Sequence, residues 1–392
     1  MRIDNLCSVL LLVYFLFIKA VLKPGSFQKD VPGFVLLFFF IHALLVSYFY
    51  SPDKQYSIIQ TIGYFSCVFS YFLPDFIIKK EADIILFVKK WILVSLYVEV
   101  IFILVFFASY LSRIPMYGMN LVENEFEPFG IYGTMVEPNI FGGYMLITFI
   151  MSFILLKEKM YLGLNKKTIV YAVILSLIGL LLSFTRGVWL SGLFCLILYS
   201  VKDAKSFKKN IGSVFLGIAI LAILIFIMAF VLNIEIVKYK ILNIVSTDVG
   251  TGEGRIIIWA RIMDNWIEKG FFWLGNGTYG SFDIFNFEFR TGWTGNLLLQ
   301  ILTDYGLIGI LILLAFIFMT VKNTLVKTDS NFMRAMQYIV RYCCIGIFMA
   351  SYTSNQTAVI FPWIIVGIGY PVYRLIKKDN VQISRKLLNP AI

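Results

Sequence analysis

The chain has 392 residues, of which 59% are hydrophobic and 15% are charged, whereas a soluble domain has roughly 45–50% apolar and about 25% charged residues. This composition excludes an ordinary soluble protein and predicts an integral membrane protein. The formal net charge of +11 comes largely from short loops between apolar segments, so it indicates membrane topology and not nucleic-acid binding.

The apolar segments predict one integral membrane domain over residues 1–392, an all-α bundle that crosses the bilayer about eleven times. Helices are expected because only they satisfy their own backbone hydrogen bonds in hydrocarbon. We expect the first span to be retained, since no small-residue cleavage site follows it. The predicted spans are 6–22, 32–50, 55–74, 91–112, 138–156, 168–184, 187–201, 211–232, 296–321, 335–354 and 357–376.

The distribution of lysine and arginine predicts the orientation of these spans. One set of alternate loops, together with the C-terminal tail, holds 23 of the 34 Lys and Arg residues, and the opposite loops hold ten. The C-terminus is therefore expected in the cytoplasm, and the N-terminus and the long loop 233–295 are expected outside. The mixed charged stretch 75–90 is expected to lie along the cytoplasmic interface.

Two stretches on the predicted outer side begin spans with polar residues. Glu137 precedes the fifth span and Asn139 lies in its first turn, after Pro138, which suits that turn because its missing N–H would be unpaired there. Arg186 lies in a tight turn at the start of the seventh span, where free backbone N–H groups and a guanidinium group both suit phosphate. The structural alternatives are a polar helix start and an arginine that reaches lipid headgroups.

The long outer loop contains a predicted amphipathic helix that lies on the membrane surface. Arg255 is in its first turn, and Arg261 and Asp264 lie on a polar flank, where they could form an ordinary surface pair. The apolar residues that recur at helical spacing are Ile256, Trp259, Met263, Trp266 and Ile267.

The ninth span carries an ionisable residue well below its start. Asp304 lies eight residues after Asn296, which is about 12 Å along a helix that rises 1.5 Å per residue. A charged group at such depth is costly, so it predicts either a functional site or a paired structural group. Glu99 in the fourth span and Arg341 in the tenth raise the same two alternatives.

Neither a cofactor nor a metal site is predicted. All five cysteines fall in apolar segments, which favours small buried side chains over a zinc site or a disulfide framework. The chain's one histidine, His42, is in the second span, and we interpret it as a hydrogen-bonded core residue.

Four motifs, the third in two parts, follow in order over residues 130–310 and resemble those of the O-antigen ligase and polymerase superfamily. This family comprises membrane glycosyltransferases that act on undecaprenyl-pyrophosphate-linked glycans. The matching stretches are EPNIFGGY at 137–144, LLSFTRGVWL at 181–190, GRIIIWARI at 254–262, LGNGTYGSF at 274–282 and GNLLLQILTDYGLIG at 295–309.

The resemblance implies roles for two arginines and leaves the general base unassigned. Arg186 matches the family's turn arginine, which is expected to bind the lipid pyrophosphate, and Arg255 matches the loop arginine, which is expected to neutralise the same group or steer the glycan. Glu137 completes the catalytic candidates as a general base at the mouth of the fifth span, and Asp304 is the other candidate base. The predicted substrate-binding residues are Asn139, Arg261, Arg290, Asn296 and Asp304.

The resemblance further implies a multi-pass enzyme of the bacterial inner membrane, whose partners are the bilayer, an undecaprenyl-pyrophosphate-linked oligosaccharide and, where chain length is controlled, a chain-length regulator. Ligases of the family generally have a histidine before the residue that matches Asn296, and Gly295 occupies that position here. This difference favours a polymerase that joins repeat units of O-antigen or a related surface polysaccharide. A ligase that transfers glycan to another acceptor is the first alternative. A polysaccharide transporter or flippase is the non-enzyme alternative, which the absence of an internal repeat disfavours.

Overall fold

The computed structural model describes residues 30–114, 116–120, 130–133, 135, 137–201, 212, 219, 252–268, 272–280, 295–352 and 359–388, with the backbone alone at 119–120, 252–258, 265 and 382–388. The predicted span 6–22 and nearly all of 211–232 lie outside this set. The total of about eleven spans therefore stays a prediction.

The described chain is mainly helical. Its helices, numbered in chain order, are α1 Val31–Phe49, α2 Lys54–Val68, α3 Leu73–Ile77, α4 Glu81–Ser112, α5 Pro138–Lys157, α6 Lys166–Leu182, α7 Arg186–Ser200, α8 Gly252–Glu268, α9 Leu297–Asn323, α10 Asn331–Ala350, α11 Ile360–Gly367 and α12 Gly369–Leu388. A 3-10 turn, Phe69–Phe72, joins α2 to α3. Two short strands, Met119–Asn120 and Gly130–Ile131, pair antiparallel.

Within the described chain, five segments are long and apolar enough to cross a membrane, and they support a multi-pass helical protein. They are Val31–Phe49, Glu81–Ser112, Pro138–Lys157, Leu297–Asn323 and Ile360–Val381. The predicted spans 168–184, 187–201 and 335–354 are also helical, as α6, α7 and α10, and α7, with 15 residues, is shorter than a full crossing.

Helix α5 is the centre of the bundle. Most of its side chains are buried, and it packs against α6, α7 and α10. Small residues permit this close packing: a Cβ atom at Gly179 of α6 would lie 3.0 Å from the sulfur of Met145 in α5. Short polar side chains begin several of the surrounding helices, since Asp30, Asp53 and Ser330 each accept a hydrogen bond from a backbone amide of the first turn.

The stretch 75–90, predicted to lie along the cytoplasmic interface, divides into two parts. Helix α4 begins at Glu81, so residues 81–90 continue directly into the predicted span 91–112. The start is fixed by Asp83, whose Oδ2 accepts hydrogen bonds from the backbone amides of Lys79 (2.8 Å) and Lys80 (3.1 Å). The first half is anchored separately, because Asp75 forms a salt bridge of 2.6 Å with Arg374 of α12.

Two other predicted spans are interrupted. The span 55–74 divides into α2, the 3-10 turn and α3. The span 357–376 divides at Ile368, between α11 and α12. Gly367 lies beside this point, where a Cβ atom would overlap the carbonyl oxygen of Tyr71, so the two backbones pack directly.

Candidate functional site

The structure brings the first two motifs together at the starts of α5 and α7. The hydroxyl of Thr185 donates a 3.0 Å hydrogen bond to Oδ1 of Asn139. Below this contact, Gly142 leaves room for Ser183, whose Oγ would lie 2.7 Å from a Cβ atom at the glycine. The residues predicted to face one side of the membrane therefore share one polar corner, and Asn139 has a structural partner there.

Arg186 is the first residue of α7 and lies in this corner half-buried. Within the described residues its guanidinium group forms neither a salt bridge nor a hydrogen bond. The turn before it is strained, because the non-glycine residue Phe184 has φ 51° while its ring is 3% exposed. A cation without a partner at the N–H-rich end of a helix is suited to an anionic ligand.

Glu137 precedes α5 at the same corner. Its backbone carbonyl accepts hydrogen bonds from the amides of Ile140 (3.1 Å) and Phe141 (3.2 Å), so its position is set by the helix start. The carboxylate does not cap the helix and, within the described residues, accepts no hydrogen bond. The side chain of Glu137 is therefore available for proton transfer.

The last two motifs meet at a break inside α9. Gly306 has φ 67° and ψ −167°, which is not helical, so the helix stops and restarts there. The segment 272–280 lies along the break and pairs with the backbone groups that the break exposes. Its hydrogen bonds are Asn276 N to Thr303 O (2.9 Å), Gly277 N to Asp304 O (2.9 Å), Leu307 N to Phe272 O (3.0 Å) and Ile308 N to Trp273 O (3.2 Å).

His42 pairs with a further carbonyl at the break. Its Nε2 atom lies 3.0 Å from the carbonyl oxygen of Tyr305. This contact confirms the predicted hydrogen bond of His42, although the residue is only half-buried, and it supplies a partner for a carbonyl next to the break.

A cluster of buried hydroxyl groups, which we did not predict, holds the segment 272–280 against α1, α2 and α9. Thr278 is at its centre, with its Oγ1 2.5 Å from Thr61 Oγ1, 2.8 Å from Tyr305 Oη and 3.3 Å from Ser47 Oγ. Thr61 lies inside the predicted span 55–74. One signal in the sequence could have indicated this cluster. Ser47 and Thr61 are polar residues in two neighbouring predicted spans, and both could face the glycine-rich stretch 274–280.

Asp304 is 2% exposed, two residues before the break. One carboxylate oxygen accepts a 2.8 Å hydrogen bond from Nε2 of Gln300, and the other accepts none within the described residues. Glu99 of α4 is likewise buried without a hydrogen-bond partner in the described chain. Arg341, by contrast, is paired, because its Nε donates 2.9 Å to Oγ1 of Thr324 at the end of α9.

Asn296 begins α9 as its N-cap. Its side-chain oxygen accepts hydrogen bonds from the backbone amides of Leu298 (2.9 Å) and Leu299 (3.2 Å), and the residue is 2% exposed. This role is sufficient to explain the residue, so the predicted role in substrate binding needs a separate test.

We expect Asn296→Ala to lower the free energy of unfolding by about 1–2 kcal/mol, because two amides lose their acceptor. Asn296→Ser should keep the cap and most of the stability. Thermal unfolding of both purified variants, together with glycan synthesis in cells, separates the two roles. Full glycan synthesis by the serine variant would show that substrate binding does not require the side-chain amide of Asn296.

Helix α8 packs its apolar face on the bundle. Ile262 is fully buried and Trp266 is 7% exposed, with the Trp266 ring 4.7 Å from that of Phe272. Of the predicted apolar set, Trp266 packs on protein, whereas Ile267 is 62% exposed. The buried face also includes Ile262, which the predicted set left out.

The remaining predicted residues are described only in part. Arg261 lies on α8 and is exposed. Arg255 is in the first turn of the same helix, described by its backbone alone, and Arg290 lies outside the described residues. The approach of Arg255 to Arg186 therefore stays a prediction. Within the described chain, no group of three or more His, Cys, Asp or Glu side chains could hold a metal ion.

These features define a class of protein, a multi-pass helical membrane protein with an arginine that has no partner within the described residues at one helix start, and a broken helix whose exposed backbone groups pair with the segment 272–280. A family model described as O-Antigen ligase matches residues 171–314. This match confirms the resemblance to the O-antigen ligase and polymerase superfamily, without distinguishing the polymerase branch, and it indicates a membrane glycosyltransferase-like enzyme. It gives no support to a transporter. A comparison with curated proteins found no match.

Proposed function

We propose that the protein is a surface-polysaccharide polymerase of the bacterial inner membrane, acting at the outer face on undecaprenyl-pyrophosphate-linked repeat units. The observation that carries the proposal is the corner at the starts of α5 and α7, where Arg186 has no partner within the described residues and Glu137 and Asn139 lie on the neighbouring helix start. A cation at this site can stabilise an anionic leaving group, and a carboxylate can accept the proton of a hydroxyl nucleophile.

In the proposed reaction, a hydroxyl group of the acceptor sugar attacks the anomeric carbon of the donor glycan. The new glycosidic bond forms as the bond from that carbon to the diphosphate oxygen breaks. Arg186 stabilises the negative charge that develops on the departing diphosphate, and Arg255 is proposed to assist it. Glu137 accepts the proton of the attacking hydroxyl. The departing group is already a stable anion, so it needs no protonation to leave.

The polymerase is favoured over the ligase by one residue. Gly295 stands where ligases of the family generally have a histidine, and here it is the left-handed residue before the cap of α9, with φ 63°. No imidazole is therefore present at that position to activate a distinct acceptor.

Electrophoresis of surface glycan from a deletion strain in a Gram-negative host tests this proposal. Loss of a polymerase should leave a single repeat unit on the lipid core, and re-expression of the chain should restore the ladder. Bare core, with full-length glycan retained on the lipid carrier, would instead identify a ligase. Repeat units trapped on the cytoplasmic leaflet would identify a flippase.

A further inference from the structure

An open cleft of about 220 Å³ lies between the α1–α2 turn and the segment 272–280. Its lining includes none of the residues of the corner that contains Arg186. Its walls include Ser51, Asp53 and Tyr56 on one side and Thr278 and Tyr279 on the other. The charge distribution of the sequence assigns this end of the bundle to the outer side of the membrane, which is the side of the proposed reaction.

Two tyrosine rings form the apolar part of the cleft. The ring centroids of Tyr56 and Tyr279 are 6.5 Å apart, and the ring planes are inclined at 56°. Tyr279 is held in place by its neighbours, because Thr278 is tied into the hydroxyl cluster and Gly277 donates to the carbonyl of Asp304. Its own backbone has φ 56°, a costly conformation for a tyrosine that the surrounding bonds must maintain. The ring is thus pre-positioned at the cleft.

A carboxylate forms the polar part. Asp53 begins α2, and its Oδ1 accepts a 3.0 Å hydrogen bond from the backbone amide of Tyr56. Within the described residues its Oδ2 accepts no hydrogen bond. The orientation of the turn is fixed by Ser51, whose hydroxyl donates to the carbonyl oxygen of Asp53. One charged acceptor is therefore free beside two aromatic rings.

We propose that this cleft is a glycan subsite that holds one sugar ring of the repeat unit, away from the diphosphate. The inference rests on the proposed function, which supplies a glycan at this side of the membrane. A pyranose ring has an apolar C–H face, which packs on an aromatic ring, and hydroxyl groups at its edge, which donate to a carboxylate in charge-assisted bonds. Tyr56 and Tyr279 supply the first contact and Asp53 the second.

The test uses the repeat-unit oligosaccharide released from its lipid by mild acid, so that the probe carries neither lipid nor diphosphate. Binding to the full-length protein in detergent micelles is measured by saturation-transfer NMR titration. Tyr56→Ala and Tyr279→Ala should each weaken the Kd about tenfold, whereas the phenylalanine variants should stay within about threefold of the parent. Asp53→Asn keeps the helix cap and should weaken the Kd severalfold.

Two controls make the outcome decisive. Tyr56 is 42% exposed, so Tyr56→Ala remains informative if Tyr279→Ala fails to fold. Arg186→Ala should bind the free oligosaccharide normally, because the probe carries no diphosphate. If the proposed role of Arg186 is wrong, the proposal of a glycan subsite is therefore unaffected. Unchanged oligosaccharide binding in folded Tyr56→Ala and Asp53→Asn would overturn the subsite. So would tyrosine-dependent binding of glycerophosphocholine without binding of the oligosaccharide, since two aromatic rings also suit a quaternary ammonium group.

Discussion

Replacing Arg186 with alanine is expected to reduce the rate of glycan polymerisation by about 10²–10³-fold, the usual effect of removing one fixed donor from a developing anion. Arg186 has no partner within the described residues, so the substitution breaks no described contact and should leave membrane insertion and thermal stability unchanged. Initial rates on purified lipid-linked repeat units, together with the length of glycan ladders in cells, provide the measurement.

Two further variants, Arg186→Lys and Arg334→Ala, test whether the effect is specific to the guanidinium group of Arg186. Arg186→Lys keeps the charge and loses the bidentate geometry, so we expect an intermediate rate. Arg334→Ala removes an exposed arginine from the first turn of α10, where its Nη2 donates 3.2 Å to the carbonyl oxygen of Thr328. That variant should make ladders of normal length. Ladders of normal length from Arg186→Ala would instead remove this residue from the mechanism.

Hydropathy predicted the helices of the bundle because each bilayer span requires a run of about 20 predominantly apolar residues. The predicted span 32–50 agrees with α1 within one residue at each end, and 138–156 agrees with α5 equally well. In both cases a polar residue or proline marks the start, and an apolar run of nearly constant length follows. Over 55–74, where polar Gln60, Thr61 and Ser66 stand among the apolar residues, the observed helix is interrupted.

The corner at Arg186 could be predicted, but the broken helix could not. Glu137, Asn139 and Arg186 each lie at a span start on the same predicted side, so topology alone brings their ends near one another. The break depends on hydrogen bonds between α9 and the segment 272–280, which lies 26–34 residues before Gly306 in the chain. A single glycine in an apolar run is common in membrane helices, so Gly306 gave no distinct signal.

Gly306→Ala is expected to have the largest effect on stability, on the order of 3–5 kcal/mol. A Cβ atom there would lie 2.2 Å from the carbonyl oxygen of Trp273, and neither backbone can give way as a flexible side chain could. The backbone region at φ 67° and ψ −167° is also open essentially to glycine alone. The segment 272–280 would have to leave α9, and the amides of Leu307 and Ile308 would lose their acceptors at membrane depth.

Gly63→Ala is the matched control, because Gly63 lies inside α2 with no atom within 4 Å of a Cβ position. This substitution should be neutral or stabilise the protein by up to about 1 kcal/mol, as alanine favours a helix over glycine. Thermal unfolding in detergent and limited proteolysis measure both variants. Gly306→Ala should melt earlier and expose 272–280 to protease. If both variants instead melt like the parent, α9 can close its break without this segment, and the pairing does not hold the cleft wall in place.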